Sequence, residues 1–173
     1  DCQRYLARVT EEIAGNFHPT TPVWPLLSAR SNAVDNVLIH LWQFYLDQRS
    51  DLALAAVGGY GRGELYPFSD IDLLILVTHS PDQETAAQIS ELLRNLWDIG
   101  LKVGSSVRTL DECETLARED LTIFTSLLEA RCIAGSAELF SQLKGHIDPV
   151  HMWDSKAFYK AKLEETESRH DHF

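Results

Sequence analysis

VGGYGRGELYPFSDIDLLIL, residues 57–76, is the stretch that decides the fold. It begins at the end of a short apolar run, Leu52 to Val57, which Gly58-Gly59 stops; that run reads as a buried strand entering a glycine turn. It runs on into Ile71 to Val77, nearly continuous in apolar residues, as a strand covered on both faces requires. Between them lie Gly58, Gly59, Gly61 and Gly63, then a polar connection ending in Ser69-Asp70-Ile71-Asp72. Side chains two apart on a strand share a face, so Asp70 and Asp72 project together at the mouth of an apolar strand. Two adjacent carboxylates repel, and burial disfavours their ionisation. A bound divalent cation removes that cost. Mg2+ takes one or two carboxylates and fills its other positions with water and phosphate oxygens. Two such ions clamp the attacking and leaving oxygens of an in-line displacement at phosphorus. The glycines let backbone N–H groups approach a triphosphate. Arg62 adds a cation and Ser69 a hydroxyl.

Each feature alone has a plainer reading. An isolated Asp-x-Asp at a strand end is most often a turn or cap, a glycine cluster a tight turn, and a lone Arg62 a surface ion-pair partner. Eleven residues apart and between two apolar strands, Gly59 and Asp70 together point to nucleotide chemistry. Two other phosphate motifs fail. A Walker loop needs Gly-Lys-Ser/Thr, which is missing. The dinucleotide fingerprint needs G-x-G-x-x-G, whereas Gly59, Gly61 and Gly63 give G-x-G-x-G.

Working outward, residues 1–17 carry Tyr5, Leu6, Val9 and Ile13 at helical spacing. The proline-bearing stretch His18 to Leu26, with Pro19, Pro22 and Pro25, is expected to be loop or turn. Val34, Leu38, Leu41, Trp42 and Tyr45 give a second helix ending near Arg49. Past the aspartates, Ser80-Pro81-Asp82-Gln83 has the form of a helix start, with Ser80 capping and Gln83 completing a capping box. That helix carries Ala86, Ile89, Leu93 and Leu96 on one face and ends at Gly100. Leu101, Val103 and Val107 mark a third strand up to Thr109. Thr109 with Glu112 repeats the capping-box spacing, and helices follow at 120–129, 137–144 and 155–170. The order is that of an α+β fold, a small mixed sheet with helices around it. Trp97, Phe124 and Leu128 fall at core spacing, His79 just past a strand is expected to be exposed, and Cys113 and Cys132 read as small core residues.

The whole composition agrees. The 173 residues suit one domain, or one domain with a helical appendage, at 45% hydrophobic and 24% charged. No apolar run approaches the roughly 20 residues that cross a bilayer, so no membrane association is expected. Three widely spaced cysteines without a CxxC argue against a disulfide framework or zinc knuckle and suit a reducing cytoplasm. A net charge of -11 argues against DNA or RNA as a partner, because gripping phosphates takes Lys and Arg. The chain begins at Asp1 without methionine and stops in a charged stretch, as an excised piece of a longer protein would.

A glycine pair, a short helix, then a strand bearing D-x-D resembles the DNA polymerase β-like nucleotidyltransferase superfamily. More narrowly, GGYGRGELYPFSDIDLLIL, with LWDIGLKVGSSVRTLDEC at 96–113 and LLEARCIAG at 127–135, resembles the N-terminal domain of the bacterial PII uridylyltransferase/uridylyl-removing family. The resemblance covers about residues 52–170, and the first fifty match loosely. It implies Mg2+-dependent transfer of UMP from UTP to a tyrosine hydroxyl of the PII signal protein, with release of pyrophosphate. It implies that Gly58 and Gly59 hold the triphosphate and that Asp70 and Asp72 hold the metals. It also divides the chain into a helical extension at 1–50, a catalytic domain at 51–150 and a helix at 151–173 leading toward an HD hydrolase domain and ACT domains outside this chain. His170-Asp171 is read as charged tail, not as an HD site.

One departure matters. Superfamily members usually place a third carboxylate on the next strand, where it helps the nucleophile lose its proton. Leu101 to Thr109 holds no Asp or Glu, its polar residues including Ser105, Ser106 and Arg108, and Gly104-Ser105-Ser106 stands where relatives often have Gly-His-Ser. Glu129 is the candidate substitute; its alternative is a structural ion pair with Arg131 or Arg108. Three functions therefore stay open: uridylyl transfer to PII, a related transferase with another nucleotide or acceptor, and a nucleotide-binding module without turnover.

Overall fold

A computed structural model describes residues 2–18, 20, 22–47, 49–153 and 160. Helices α1 (Cys2–Gly15) and α2 (Val23–Leu46) lead into strand β1 (Leu52–Ala56), the short helix α3 (Gly58–Gly61) and strand β2 (Ile71–Val77). Helix α4 (Gln83–Asp98) crosses to β3 (Val103–Arg108); α5 (Leu110–Glu119) and α6 (Leu121–Leu128) precede β4 (Arg131–Gly135), and α7 (Ala137–His146) and α8 (Pro149–Met152) follow. The four strands form one mixed sheet in the order β3-β2-β1-β4. β1 runs antiparallel to both β2 and β4, and β2 runs parallel to β3.

The alternation of side chains splits the core in two. Leu52, Leu54 and Ala56 of β1 with Leu73, Ile75 and Val77 of β2 meet Val34, Leu38 and Trp42 of α2 and Ile89, Leu92 and Leu96 of α4. Ala53, Ala55, Leu74 and Leu76 meet Cys113, Phe124 and Leu143 from α5, α6 and α7. Every residue of β1 is buried, as the middle of a covered sheet demands. Helix α2 supplies the same core as the strands, so its packing does not stop at residue 50.

The α+β reading and the three sequence-read strands stand, and a fourth is added. Strand β4 pairs with β1 at one edge, through a bulge between Leu54 and Ala55. Helix α2 begins at Val23, with Pro25 inside its first turn, earlier than the sequence pattern starts it. A first-turn proline gives up an N–H that has no acceptor within the helix, so it costs little there. The cap of α4 is Asp82, not Ser80: its Oδ1 accepts from the Thr85 N–H at 2.8 Å. A carboxylate also meets the positive end of the helix dipole, which a serine hydroxyl does less well. The Thr109–Glu112 capping box on α5 is present. Trp97 is 55% exposed, against the expectation of core, with its indole N–H 3.4 Å from the Val103 carbonyl. Phe124 is buried, Leu128 is half-buried and His79 is exposed. The helix expected at 155–170 lies outside the described residues, Lys160 apart.

One polar network ties the glycine turn to this frame. Tyr60 of α3 is buried and its hydroxyl donates to Asp35 of α2 at 2.5 Å. Arg131 of β4 donates to the other oxygen of Asp35 at 2.6 Å and lies over the Tyr60 ring, 5.5 Å from its centroid. Burial, then the Asp35 charge, pushes the Tyr60 phenol far above its ordinary range, so it stays a donor. Removing one partner of a buried pair costs about 3–5 kcal/mol. Arg131 is 36% exposed, so water recovers part of its charge. Asp35→Ala is therefore expected to lower stability by about 2 kcal/mol in urea titrations. A loss below about 0.5 kcal/mol, the usual surface value, would show that the network does not carry the turn.

Candidate active site

Asp70 stands just before β2 and Asp72 is the second residue of β2. On β2, Asp72, Leu74 and Leu76 point to the face of α5, α6 and α7; the two leucines are buried, whereas Asp72 at the strand mouth is open to solvent. Asp70 is exposed as well. The structure thus brings the two sequence-read carboxylates to the N-terminal end of the interior strand β2.

Backbone closes around Asp72 on two sides. Gly104 of β3 is its register partner, and a Cβ there would stand 2.8 Å from Asp72 Oδ1. Gly58, at the start of α3, has φ +59°, and a Cβ there would lie 3.6 Å from Asp72 Oδ2 and 3.7 Å from Ser126 Oγ. The turn is anchored to the strand by the Val57 N–H, which donates to the Asp72 carbonyl at 3.0 Å. Gly58 is therefore beside the carboxylate. Gly59 sits one residue further into α3, its carbonyl accepting from the Glu64 N–H at 3.0 Å. Ser69 is exposed in the loop leading to Asp70.

Partial burial raises the Asp72 carboxyl above its ordinary value, and the Asp70 charge raises it further. Solvent reaches the group from its open side. Among the described residues no three His, Cys, Asp or Glu side chains converge as a metal cage. The donor set is two carboxylates on one strand mouth. That fits Mg2+, which keeps water and substrate oxygens, better than an ion needing an all-protein shell.

Arg62 and Glu129 meet each other. The Arg62 guanidinium donates to Glu64 at 2.9 Å and to Glu129 at 2.5 Å. Neither Arg131 nor Arg108 is the partner of Glu129; Arg131 is taken by Asp35. Arg62 is thus neutralised by two carboxylates and braces the turn against the corner between α6 and β4.

The sequence alone gives no sign of the cleft beside Asp72. It holds about 290 Å³ and is lined by Asp72, Gly104, Ser106 and Arg108 on the sheet and by Thr122 and Ser126 on α6. The hydroxyl residues of α6 carry no sequence signal, because only the fold sets them against β2 and β3.

A glycine turn feeding two carboxylates at the mouth of a strand, on a small mixed sheet, is the arrangement of a nucleotide-transfer domain. The chain belongs to the nucleotidyltransferase domain family, whose model matches residues 38–124. It is 45% identical over 166 residues to the bifunctional uridylyltransferase/uridylyl-removing enzyme of Photobacterium profundum, covering 95% of this chain and 19% of that protein. It is 47% identical over 161 residues to an enzyme of the same name from Pseudomonas putida, covering 92% of this chain and 18% of that one. The chain thus spans about a fifth of the length of the curated relatives it matches. The likeness extends to the first fifty residues as well, further than the motifs alone reach. A solved structure described as a toxin-antitoxin with AMP-PNP overlays with a TM-score of 0.43 at 16% identity, over 80% of this chain and 96% of that chain.

The raised Asp72 carboxyl sets a pH dependence. A carboxyl whose folded value lies above its unfolded one opposes folding once pH passes the unfolded value, near 3.9, and is neutral below it. Asp72→Asn is expected to raise the melting temperature at pH 7 and to leave it unchanged at pH 3. A variant that melts lower at pH 7 in metal-free buffer would contradict the assignment.

Proposed function

We propose that this chain carries the transferase centre that moves UMP from UTP to a tyrosine hydroxyl of the PII signal protein, releasing pyrophosphate. The observation that supports it most is the Asp72 carboxylate, next to Asp70, exposed to solvent and flanked by the Gly58 backbone. The names of the relatives support uridylyl as the group transferred. The cofactor in this reading is Mg2+, held by Asp70 and Asp72; when bound, it neutralises charge on the phosphates and orients them. The backbone at Gly58 and Gly59, which bears no side chain of its own, receives the triphosphate. Arg62, braced by Glu64 and Glu129, holds the shape of the turn that does so, and Ser69 presents its hydroxyl beside Asp70. The reading needs no DNA or RNA and no membrane, and its setting is the cytoplasm. Among the described residues no helix is long and apolar enough to cross a membrane.

One observation favours a second reading, a nucleotide-binding module without turnover: β3 brings Gly104 and Ser106, and no carboxylate, to the Asp72 side of the cleft. Tight metal-dependent UTP binding without transfer over a long incubation would establish it.

Two measurements separate these readings and the roles within them. The double variant Asp70→Asn with Asp72→Asn is expected to lose Mg2+-dependent UMP transfer by at least about a thousandfold with an unchanged circular dichroism spectrum. Retained transfer in that protein removes the site. Glu129 remains the candidate base, but its ion pair with Arg62 supports a positioning role. In that role Glu129→Gln is expected to slow transfer by roughly tenfold or less, with the UTP KM rising as the turn loosens. A loss as deep as that of the aspartate variant, with UTP KM unchanged, would make Glu129 the base.

A further inference from the structure

Asp72 has two sides. Toward β1 lies the Gly58-Gly59 turn, where the function proposed above places the triphosphate. Toward β3 lies Gly104, and from it the cleft runs along the strand to Arg108. Displacement at phosphorus places the attacking and leaving oxygens in line. If pyrophosphate leaves over the glycine turn, the attacking hydroxyl enters from the β3 side.

The lining of that side has a particular chemistry. The cleft begins at the glycine turn, where Val57 and Ser126 line it; toward β3, Leu74, Ile123 and Leu127 make it apolar, and Ser106 and Thr122 add hydroxyls. Arg108 is the one cation among the lining residues. The register Asp72↔Gly104 and Leu76↔Arg108 puts Arg108 on the face of Asp72. Arg108 lies four residue steps along the strand from Gly104, about 13 Å, enough for a phenol ring to lie between the carboxylate and the guanidinium. Among the described residues Arg108 makes no ion pair, and the nearby Glu112 carboxylate is engaged by the Thr109 N–H of the helix cap. The Arg108 charge reaches the Glu112 carboxyl without a direct ion pair, which leaves the guanidinium beside apolar walls to favour an aromatic ring, whose face attracts a cation.

The geometry points to this cleft as the seat of the acceptor tyrosine, with Arg108 packed on its ring. The inference rests on the transfer reading and adds where the acceptor binds. In this seat the phenolic oxygen attacks the α-phosphorus of UTP. The new O–P bond forms as the bond to the bridging oxygen breaks, pyrophosphate leaves with that electron pair, and the phenolic proton passes to water. A phenol, with an ordinary pKa of about 10, releases its proton far more readily than an alkyl hydroxyl. That suits a cleft whose β3 wall bears no carboxylate.

The test uses the 173-residue chain with UTP, Mg2+ and purified PII protein, and compares Arg108→Met, Arg108→Lys and Thr122→Trp. Thr122 is exposed, so its substitution fills the cleft without disturbing the core and decides the matter if Arg108→Met fails to fold. Expected are a rise of roughly tenfold in the PII KM for Arg108→Met, substantial recovery in Arg108→Lys, and a similar rise for Thr122→Trp. Calorimetric UTP affinity without PII should stay within about twofold throughout. An unchanged PII KM in the Met and Trp variants overturns the seat while leaving the transfer reading intact. Weakened UTP binding with unchanged PII KM would make the cleft the nucleoside's place instead. If the unaltered chain binds UTP yet moves no UMP to PII, the transfer reading fails and the seat falls with it.

Discussion

The Asp72 carboxylate lies against backbone on both sides, and the site depends on that fit. One oxygen faces Gly104, where a Cβ would come within 2.8 Å, and the other faces Gly58, whose φ of +59° a side-chain-bearing residue adopts only under strain. A single carboxylate thus meets the turn after β1 on one side and the strand β3 on the other. In the transfer proposed above, these two sides serve the leaving and attacking groups. The parallel pairing of β2 with β3 is what sets Gly104 opposite Asp72, so the α4 crossover that makes the pairing parallel shapes the site as much as the aspartates do.

A four-residue helix cannot hold the glycine turn by itself, since its first hydrogen-bonded turn costs more order than it returns. Here three anchors from distant parts of the chain hold α3. The Val57 N–H bonds the Asp72 carbonyl, Tyr60 reaches Asp35 on α2, and Arg62 reaches Glu129 beyond α6. Arg131 then clamps Asp35 from β4. Helix α2 therefore belongs to the support of the site, although a reading by motifs places it in an extension.

What could be read from the sequence was local. Apolar runs of strand length, the glycine turn, the Asp-x-Asp spacing and the Thr109–Glu112 capping box each depend on residues within a few positions of one another. What could not be read was set by distance or by weak patterning. Arg62 and Glu129 are 67 residues apart, and Asp35 and Arg131 are 96 apart. No periodicity announces such pairs. Strand β4, RCIAG, is five half-buried or exposed edge residues without alternation, so it lacks the signature that marks β1 and β2. Trp97 falls at core spacing yet sits at the rim, because helical spacing gives a face and not how far the neighbouring strand covers it. The cleft is illegible for the same reason, since Thr122 and Ser126 gain meaning only when α6 is laid beside β2.

The site also explains why the rest of β2 is so thoroughly covered. Two carboxylates at one strand mouth work against the folded state locally. Leu73 to Val77, immediately downstream, are buried without exception and locked between β1 and β3. Burying a side chain of this size contributes about 1.5–3 kcal/mol, so a few such residues outweigh the repulsion of the aspartate pair. The boundary is sharp because the pleat makes it so. Asp72 and Leu74 point the same way two residues apart, yet the helices bury Leu74 and leave Asp72 open at the edge of the cleft, a charged mouth on a strand whose remainder is core.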